Sequence, residues 1–280
     1  MEIKRIQDMD IEGKKVLLRV DFNVAIEDGK VKESFKVASA KETLDYLLNR
    51  NCKVAMVSHF GRPGGKADPA FSLGQIADDA TEILATHIDF VPDCVGGQVK
   101  AALEKSLSGA LLLENVRFYA GDEENDPGFA QKLAENFDVF VNDAFSASHR
   151  DHASVTGVAK ILPSCAGFRL LEEIHEMTFI KDHPVSPAVA IIGGAKIETK
   201  LPVIKFFEEK YDHILVGGKI ANEALDQKIE FSEKVVLPVD FVDDRLDIGP
   251  KTLEKFKEII ATAKTIAWNG PTGKFEDEKY

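Results

Sequence analysis

One feature restricts this chain more than any other: short apolar runs alternate with amphipathic stretches along nearly its whole length. Residues 15–20 (KVLLRV), 53–58 (KVAMVS), 110–113 and 139–142 (VFVN) read as strands, and 38–48, 73–86 and 129–136 carry helical period between them. A strand covered on both faces loses the apolar/polar alternation of a half-exposed one. Such runs bracketed by helices therefore point to parallel βαβ units and an α/β, doubly wound sheet. The scheme repeats in the second half, with strands at 188–192, 213–216, 234–237 and 265–268. The clearest helices there are 201–209 and 250–262, the second opening with Pro250 in its first turn. A Glu-rich helical stretch, 168–179, follows the loop LPSCAG at 162–167. It reads as a hinge helix between two domains, 1–166 and 167–280.

The length supports that division. A chain of 280 residues holds about two domains at roughly 150 residues each, and its 44% apolar and 29% charged residues are those of an ordinary globular protein. The formal net charge of −12 argues against nucleic acid and membrane partners, except where cations cluster locally. Cys52, Cys94 and Cys165 are far apart and form no Cys-x-x-Cys pair, so buried thiols in a reducing compartment are expected rather than a disulfide framework or zinc site. The N-terminus lacks an apolar signal core, and no apolar run reaches membrane-spanning length. A cytoplasmic protein is expected.

In open parallel sheets ligands bind at the carboxyl ends of the strands. Four such ends in the first half carry RVDFNV (19–24), SHFGRP (58–63), LLENVRF (112–118) and VNDAFSASHR (141–150). They would deliver His59, Arg62, Arg117, His149 and Arg150 to one edge, with Asp21 and Asn23 adding polar contacts. A guanidinium fork binds phosphate and carboxylate in two-point fashion, so the cluster reads as a receptor for a small acidic metabolite. A lone arginine at a strand end is more simply a cap or an ion pair. Four loops in one sheet make that account hard to sustain.

Together these four strings resemble the N-domain motifs of the phosphoglycerate kinase family, in order and over most of the first 165 residues. The resemblance implies that Asp21, Asn23, His59, Arg62, Arg117 and Arg150 bind 3-phosphoglycerate, with His149 nearby. It also implies one departure. The family usually has an arginine where ESFKV (33–37) places Lys36, and that arginine stabilises charge on the transferring phosphoryl group. Lysine keeps the charge and loses the fork, so a slower reaction is expected.

In the second half, IGGAKIETK (192–200) follows a strand and opens a helix. Paired glycines let backbone N–H groups approach a phosphate at a helix N-terminus, although Gly-Gly-x-Lys alone equally suits a plain turn. The string is similar to the family's GGAK motif, which implies Lys196 on the transferring phosphoryl group, with Gly194 and Lys200 at the nucleotide phosphates. VGGKIAN (216–222) resembles the next nucleotide loop through Gly217 and Gly218, with Lys219 where a third glycine is usual. WNGPTGKFE (268–276) implies Asn269 and Pro271 near the nucleotide and Glu276 on its ribose. LPVD (237–240) matches a family strand, while 221–235 looks contracted.

The family's Gly-Gly-Gly-Asp-Thr turn, whose Asp holds the Mg²⁺ nucleotide, has no counterpart here. The expectation is therefore a fragment of a longer reading frame, with an incomplete second domain of the Rossmann-like pair, no metal ligand of its own and poor solubility. The implied reaction is reversible phosphoryl transfer from 1,3-bisphosphoglycerate to ADP, giving 3-phosphoglycerate and ATP in glycolysis, with Mg²⁺ as Mg-ATP or Mg-ADP and a monomeric enzyme. Closure of two domains would bring the substrates into line and exclude water. The alternative is a non-catalytic 3-phosphoglycerate- or nucleotide-binding relative. A dinucleotide oxidoreductase is disfavoured because no Gly-x-Gly-x-x-Gly follows the first strand.

Overall fold

The computed structural model describes residues 3–107, 109–277 and 279–280. Its chain falls into two compact units, Met1–His175 and Glu176–Tyr280, which divide within the helix Phe168–Asp182.

The first unit is built on a six-stranded sheet. Its strands are β1 (Lys15–Arg19), β2 (Lys53–Val57), β3 (Asp89–Val91), β4 (Ala110–Leu113), β5 (Val139–Asn142) and β6 (Ser164–Ala166). They lie in the order β3-β4-β2-β1-β5-β6, and every pairing is parallel. Residues 16–19 and 54–57 are all buried, as are all four residues of β4. Coverage on both faces explains why these runs carry no alternation. One face packs Val16, Leu18, Val54 and Met56 against Leu44 and Leu47 of the helix Lys41–Leu48. The other packs Leu17, Ala55 and Leu111 against Val99, Leu103, Phe129 and Leu133. Each of these side chains larger than alanine contributes roughly 1.5–3 kcal/mol by leaving water.

Several expectations need refinement. The helix read at 38–48 is two helices, Phe35–Ala38 and Lys41–Leu48. The one read at 73–86 starts as the 3₁₀ turn Leu73–Ile76 and becomes Ala77–Leu84. The loop at 162–167 contains β6, and the sequence reading passed over β3 and the helix Gly96–Lys105. Asp126 caps the helix Pro127–Ala134, its carboxylate accepting from Phe129 N at 2.7 Å, with Pro127 in the first turn.

The second unit has a four-stranded parallel sheet in the order β9-β8-β7-β10. These strands are β7 (Ala188–Ile192), β8 (His213–Val216), β9 (Val235–Val236) and β10 (Thr265–Asn269). The helices Ile197–Lys210 and Gly218–Asp226 cover one face through Ile204, Phe207, Ile220 and Ala224. Phe256 of the helix Pro250–Thr262 packs on the other. Among the described residues β10 is an edge strand, and it exposes Ile266 and Trp268. No helix is long and apolar enough to cross a membrane among the described residues.

Candidate active site

The chain order reverses between β1 and β5, so loops leaving these strands diverge and open a crevice at their carboxyl ends. Buried polar side chains stitch this edge together. Ser58 Oγ, just after β2, accepts from Phe22 N, just after β1, at 2.9 Å. Asn115 is fully buried after β4. Its Oδ1 accepts from Phe60 N and Arg117 N, and its Nδ2 donates to Phe60 O at 2.7 Å and Phe71 O at 2.9 Å. That one amide meets its hydrogen-bonding capacity and fixes the turn Val116–Phe118 that carries Arg117.

The cations converge on this frame. Arg117 is 3% exposed, and its Nη1 donates to Gly61 O at 2.6 Å. Its Nε lies 3.3 Å from Glu123 Oε1, near enough to attract but not aligned as a hydrogen bond. Asn23 Oδ1 accepts from Gly61 N at 2.9 Å, so the β1 loop, the β2 loop and Arg117 meet at one glycine. His59 is 5% exposed, and burial followed by the charges of Arg19, Arg117 and Arg150 depresses its pKa to about 2. Arg62 is exposed and close enough to depress the Arg117 pKa further, after burial itself. Arg150 has a buried Nε with no partner. Fixed cations with unused donors, held in a poorly solvated edge, are prepared for an anion.

Lys36 occupies the neighbouring flank. Its Nζ donates to Asn23 O at 3.0 Å and pairs with Asp21 Oδ2 at 3.3 Å. Ser146 Oγ donates to the same carboxylate oxygen at 2.7 Å. Asp21, Lys36, Ser146 and Arg169 line a cavity of about 220 Å³ in this unit. The Arg169 guanidinium sits 5.2 Å from the Phe35 ring centre and is paired with Glu172 and Glu173.

Two features escaped the sequence reading. Arg19, the last residue of β1, is 2% exposed and lies beneath the cluster, with Nη2 3.0 Å from His59 Nδ1. The second is His152, which lies among these charges. Burial lowers its pKa, Asp122 opposes that, and Arg117 and Arg150 reinforce it. His149 is exposed and hydrogen-bonds none of these groups.

In the second unit the loops after β7, β8 and β10 are stacked backbone on backbone. Gly193 N donates to Asn269 O at 2.8 Å, Gly218 N to Thr272 O at 2.6 Å and Ile220 N to Gly194 O at 3.1 Å. A Cβ on Gly193 would lie 1.9 Å from Pro271 O, and Gly218 has φ +65°. Glycine is required at both positions by the close approach and the left-handed backbone. Lys200 Nζ donates to Asn269 Oδ1 at 2.5 Å, while Lys196, Lys219 and Glu276 are exposed. Trp268 is 67% exposed, with its indole N–H on Gly270 O at 2.8 Å. No three His, Cys, Asp or Glu side chains gather into a metal centre among the described residues.

With the geometry in place, the relatives add an independent line. The family model for phosphoglycerate kinase matches residues 6–236 and 224–280. A phosphoglycerate kinase of Coprothermobacter proteolyticus is 36% identical over 326 positions, covering all of this chain and 83% of the relative. One of Bartonella quintana is 40% identical, covering 99% of this chain and 81% of the relative. The solved structure from Pyrococcus horikoshii superposes with a TM-score of 0.85 at 28% identity, covering 99% of this chain and 83% of that one. That from Coxiella burnetii gives 0.78 at 30%, covering 99% and 82%. The first alignment spans 326 positions against 280 residues here, and the two matched segments overlap at 224–236. The second unit is thus internally contracted around the short link between the helix Gly218–Asp226 and β9. By sequence over its full length, by fold and by the family model, the chain belongs to the phosphoglycerate kinase family.

Proposed function

We propose that this chain transfers a phosphoryl group reversibly between the carboxyl group of 3-phosphoglycerate and a nucleotide, the first unit binding the acid and the second ADP or ATP. The observation that carries the reading is the convergence of His59, Arg62, Arg117 and Arg150 on one edge of an otherwise acidic protein. Three guanidinium groups match the charge of a phosphate and a carboxylate on one small molecule. Asp21 and Asn23 line its flank and suit its hydroxyl. Lys36 sits where a developing charge on the transferred group would be neutralised, once it leaves Asn23 O and Asp21.

On the nucleotide side the stacked glycine loops would take the phosphates through backbone N–H groups, with Lys196 and Lys200 adding charge. The roles of Gly194, Gly217, Gly218, Asn269, Pro271 and Glu276 at the nucleotide belong to the same proposal. The described residues contain no carboxylate cluster for Mg²⁺. In this reading the metal enters with the nucleotide, as Mg-ADP or Mg-ATP. No general base is needed, because a carboxylate is already a competent nucleophile. Catalysis is then positioning and charge neutralisation. A cytoplasmic monomer suits this reading.

A second reading, a binding protein without transfer, is favoured by Lys36 and by the contracted second unit. The experiment is paired. Formation of 1,3-bisphosphoglycerate from 3-phosphoglycerate and Mg-ATP is measured in a coupled assay, and 3-phosphoglycerate binding by calorimetry. Turnover with binding supports the kinase. Binding without turnover selects the second reading, and neither overturns both.

A further inference from the structure

Arg19 is the most deeply buried cation of the site, and it has no carboxylate within hydrogen-bonding distance. Its Nη1 donates to Val20 O at 2.5 Å and to Val57 O at 3.4 Å, its Nε has no partner, and its Nη2 lies 3.0 Å from His59 Nδ1. A guanidinium carries five N–H donors and no acceptor. The atom facing Nη2 must therefore accept. A neutral imidazole has one lone-pair nitrogen and one N–H, so a lone pair on Nδ1 leaves the proton on Nε2. Protonating Nδ1 would break this bond and set two buried cations against each other.

The surroundings act in the same direction. The groups that face His59 are Arg19 from the end of β1, Arg117 from the turn after β4, and Arg150 and His152 from the segment after β5. The carboxylates of Asp122 and Asp21 raise the Arg19 pKa, which nonetheless falls to about 10 through burial. Among the described residues His59 Nε2 has no hydrogen-bond partner, and it is not sealed from solvent. Its N–H is left for a ligand.

We infer that Arg19 is a positioning residue that locks His59 in the neutral Nε2–H tautomer, so that His59 offers the anion pocket an uncharged donor rather than a cation. The positive charge in the pocket then owes nothing to His59. Anion binding should not weaken as the pH passes through the usual histidine range, from about 5 to 8. The identity of the anion rests on the function proposed above; the tautomer does not.

Ring-¹⁵N NMR of the full chain tests this, with His59→Gln used to assign the His59 signals among the seven histidines. The expected wild-type spectrum has a protonated Nε2 and a pyridine-like Nδ1, unchanged between about pH 5 and 8. Arg19→Met removes the donor that faces Nδ1, so the proton should no longer be confined to Nε2 and a share of the ring should carry it on Nδ1, while burial, Arg117 and Arg150 keep the ring neutral. Arg19→Lys keeps a donor and should restore the wild-type tautomer. A wild-type His59 that carries its proton on Nδ1, or that is an imidazolium near neutral pH, overturns the inference. So does an Arg19→Met protein whose His59 stays wholly in the Nε2–H form. Should Arg19→Met not fold, the wild-type spectrum alone decides. An Nε2–H tautomer in a protein that fails to bind 3-phosphoglycerate would sink the functional reading and leave the positioning role standing.

Discussion

Under the proposed function, the two units would hold an anion in opposite ways. In the first, the working groups are side chains fixed in place: Arg19, His59 and Arg117 are each 5% exposed or less, and Asn115 ties their loops together. In the second, the fixed part is backbone. Glycines let three loops touch, and Lys196 and Lys219 remain in solvent. A buried guanidinium has lost its rotamer freedom and much of its hydration during folding, so it meets its ligand at little further cost. An exposed lysine keeps both and loses them on binding. The first unit should therefore be the more selective for ligand shape, and the second the more tolerant of side-chain substitution.

The contrast can be broken most directly at Arg117. Arg117→Ala should weaken 3-phosphoglycerate binding by roughly 2–5 kcal/mol, the usual effect of removing one partner of a desolvated charge contact. Calorimetry reads it, and an unchanged affinity would remove Arg117 from the pocket. Next comes Asp143, buried just after β5, with one oxygen unpartnered and the other accepting from Leu170 N at 3.1 Å. Burial raises its pKa from 3.8 to about 6. The folded state thus holds this proton more tightly than the unfolded chain. Stability is fullest below pH 3.8 for this group and declines as pH rises towards about 6, by an amount on the order of 3 kcal/mol. Denaturant titrations across that window should show wild-type stability falling relative to that of Asp143→Asn as the pH rises.

Gly193→Ala tests the other side of the comparison. A methyl group 1.9 Å from Pro271 O meets backbone, which cannot rotate away. The second unit should lose about 1–3 kcal/mol, seen as an earlier thermal transition, with 3-phosphoglycerate binding intact. The smallest effect is expected for Lys200→Ala. An exposed ammonium sharing one bond with Asn269 should change nucleotide affinity by about 0.2–1 kcal/mol in the absence of turnover. A loss as large as that at Arg117 would show the two units to be built alike.

The same contrast explains what could be read in the sequence. The continuous apolar runs at 110–113, 139–142, 188–192 and 213–216 match observed strands residue for residue, because coverage on both faces writes itself into composition. The strands Asp89–Val91 and Ser164–Ala166 escaped because each is three residues long and lies at a sheet edge, where less is buried. The helix Gly96–Lys105 opens with two glycines, the first at φ +76°, and propensity argues against it. Among the site residues, those after strands were legible from position. Arg19 was not, since it ends a strand instead of following one, and nothing in a residue's type reveals that it is buried. His152 was passed over because spacing does not encode the backbone turn that places it among these charges.

Trp268 deserves a spectroscopic reading. It is the chain's single tryptophan, and its ring lies on β10, hydrogen-bonded into the glycine-stacked loops of the second unit. Intrinsic emission therefore has one address. Excited selectively, the protein reports on the loop after β10 and says nothing of the arginine-rich pocket. A change in brightness or wavelength on adding ADP, with none on adding 3-phosphoglycerate, would locate each ligand without a label.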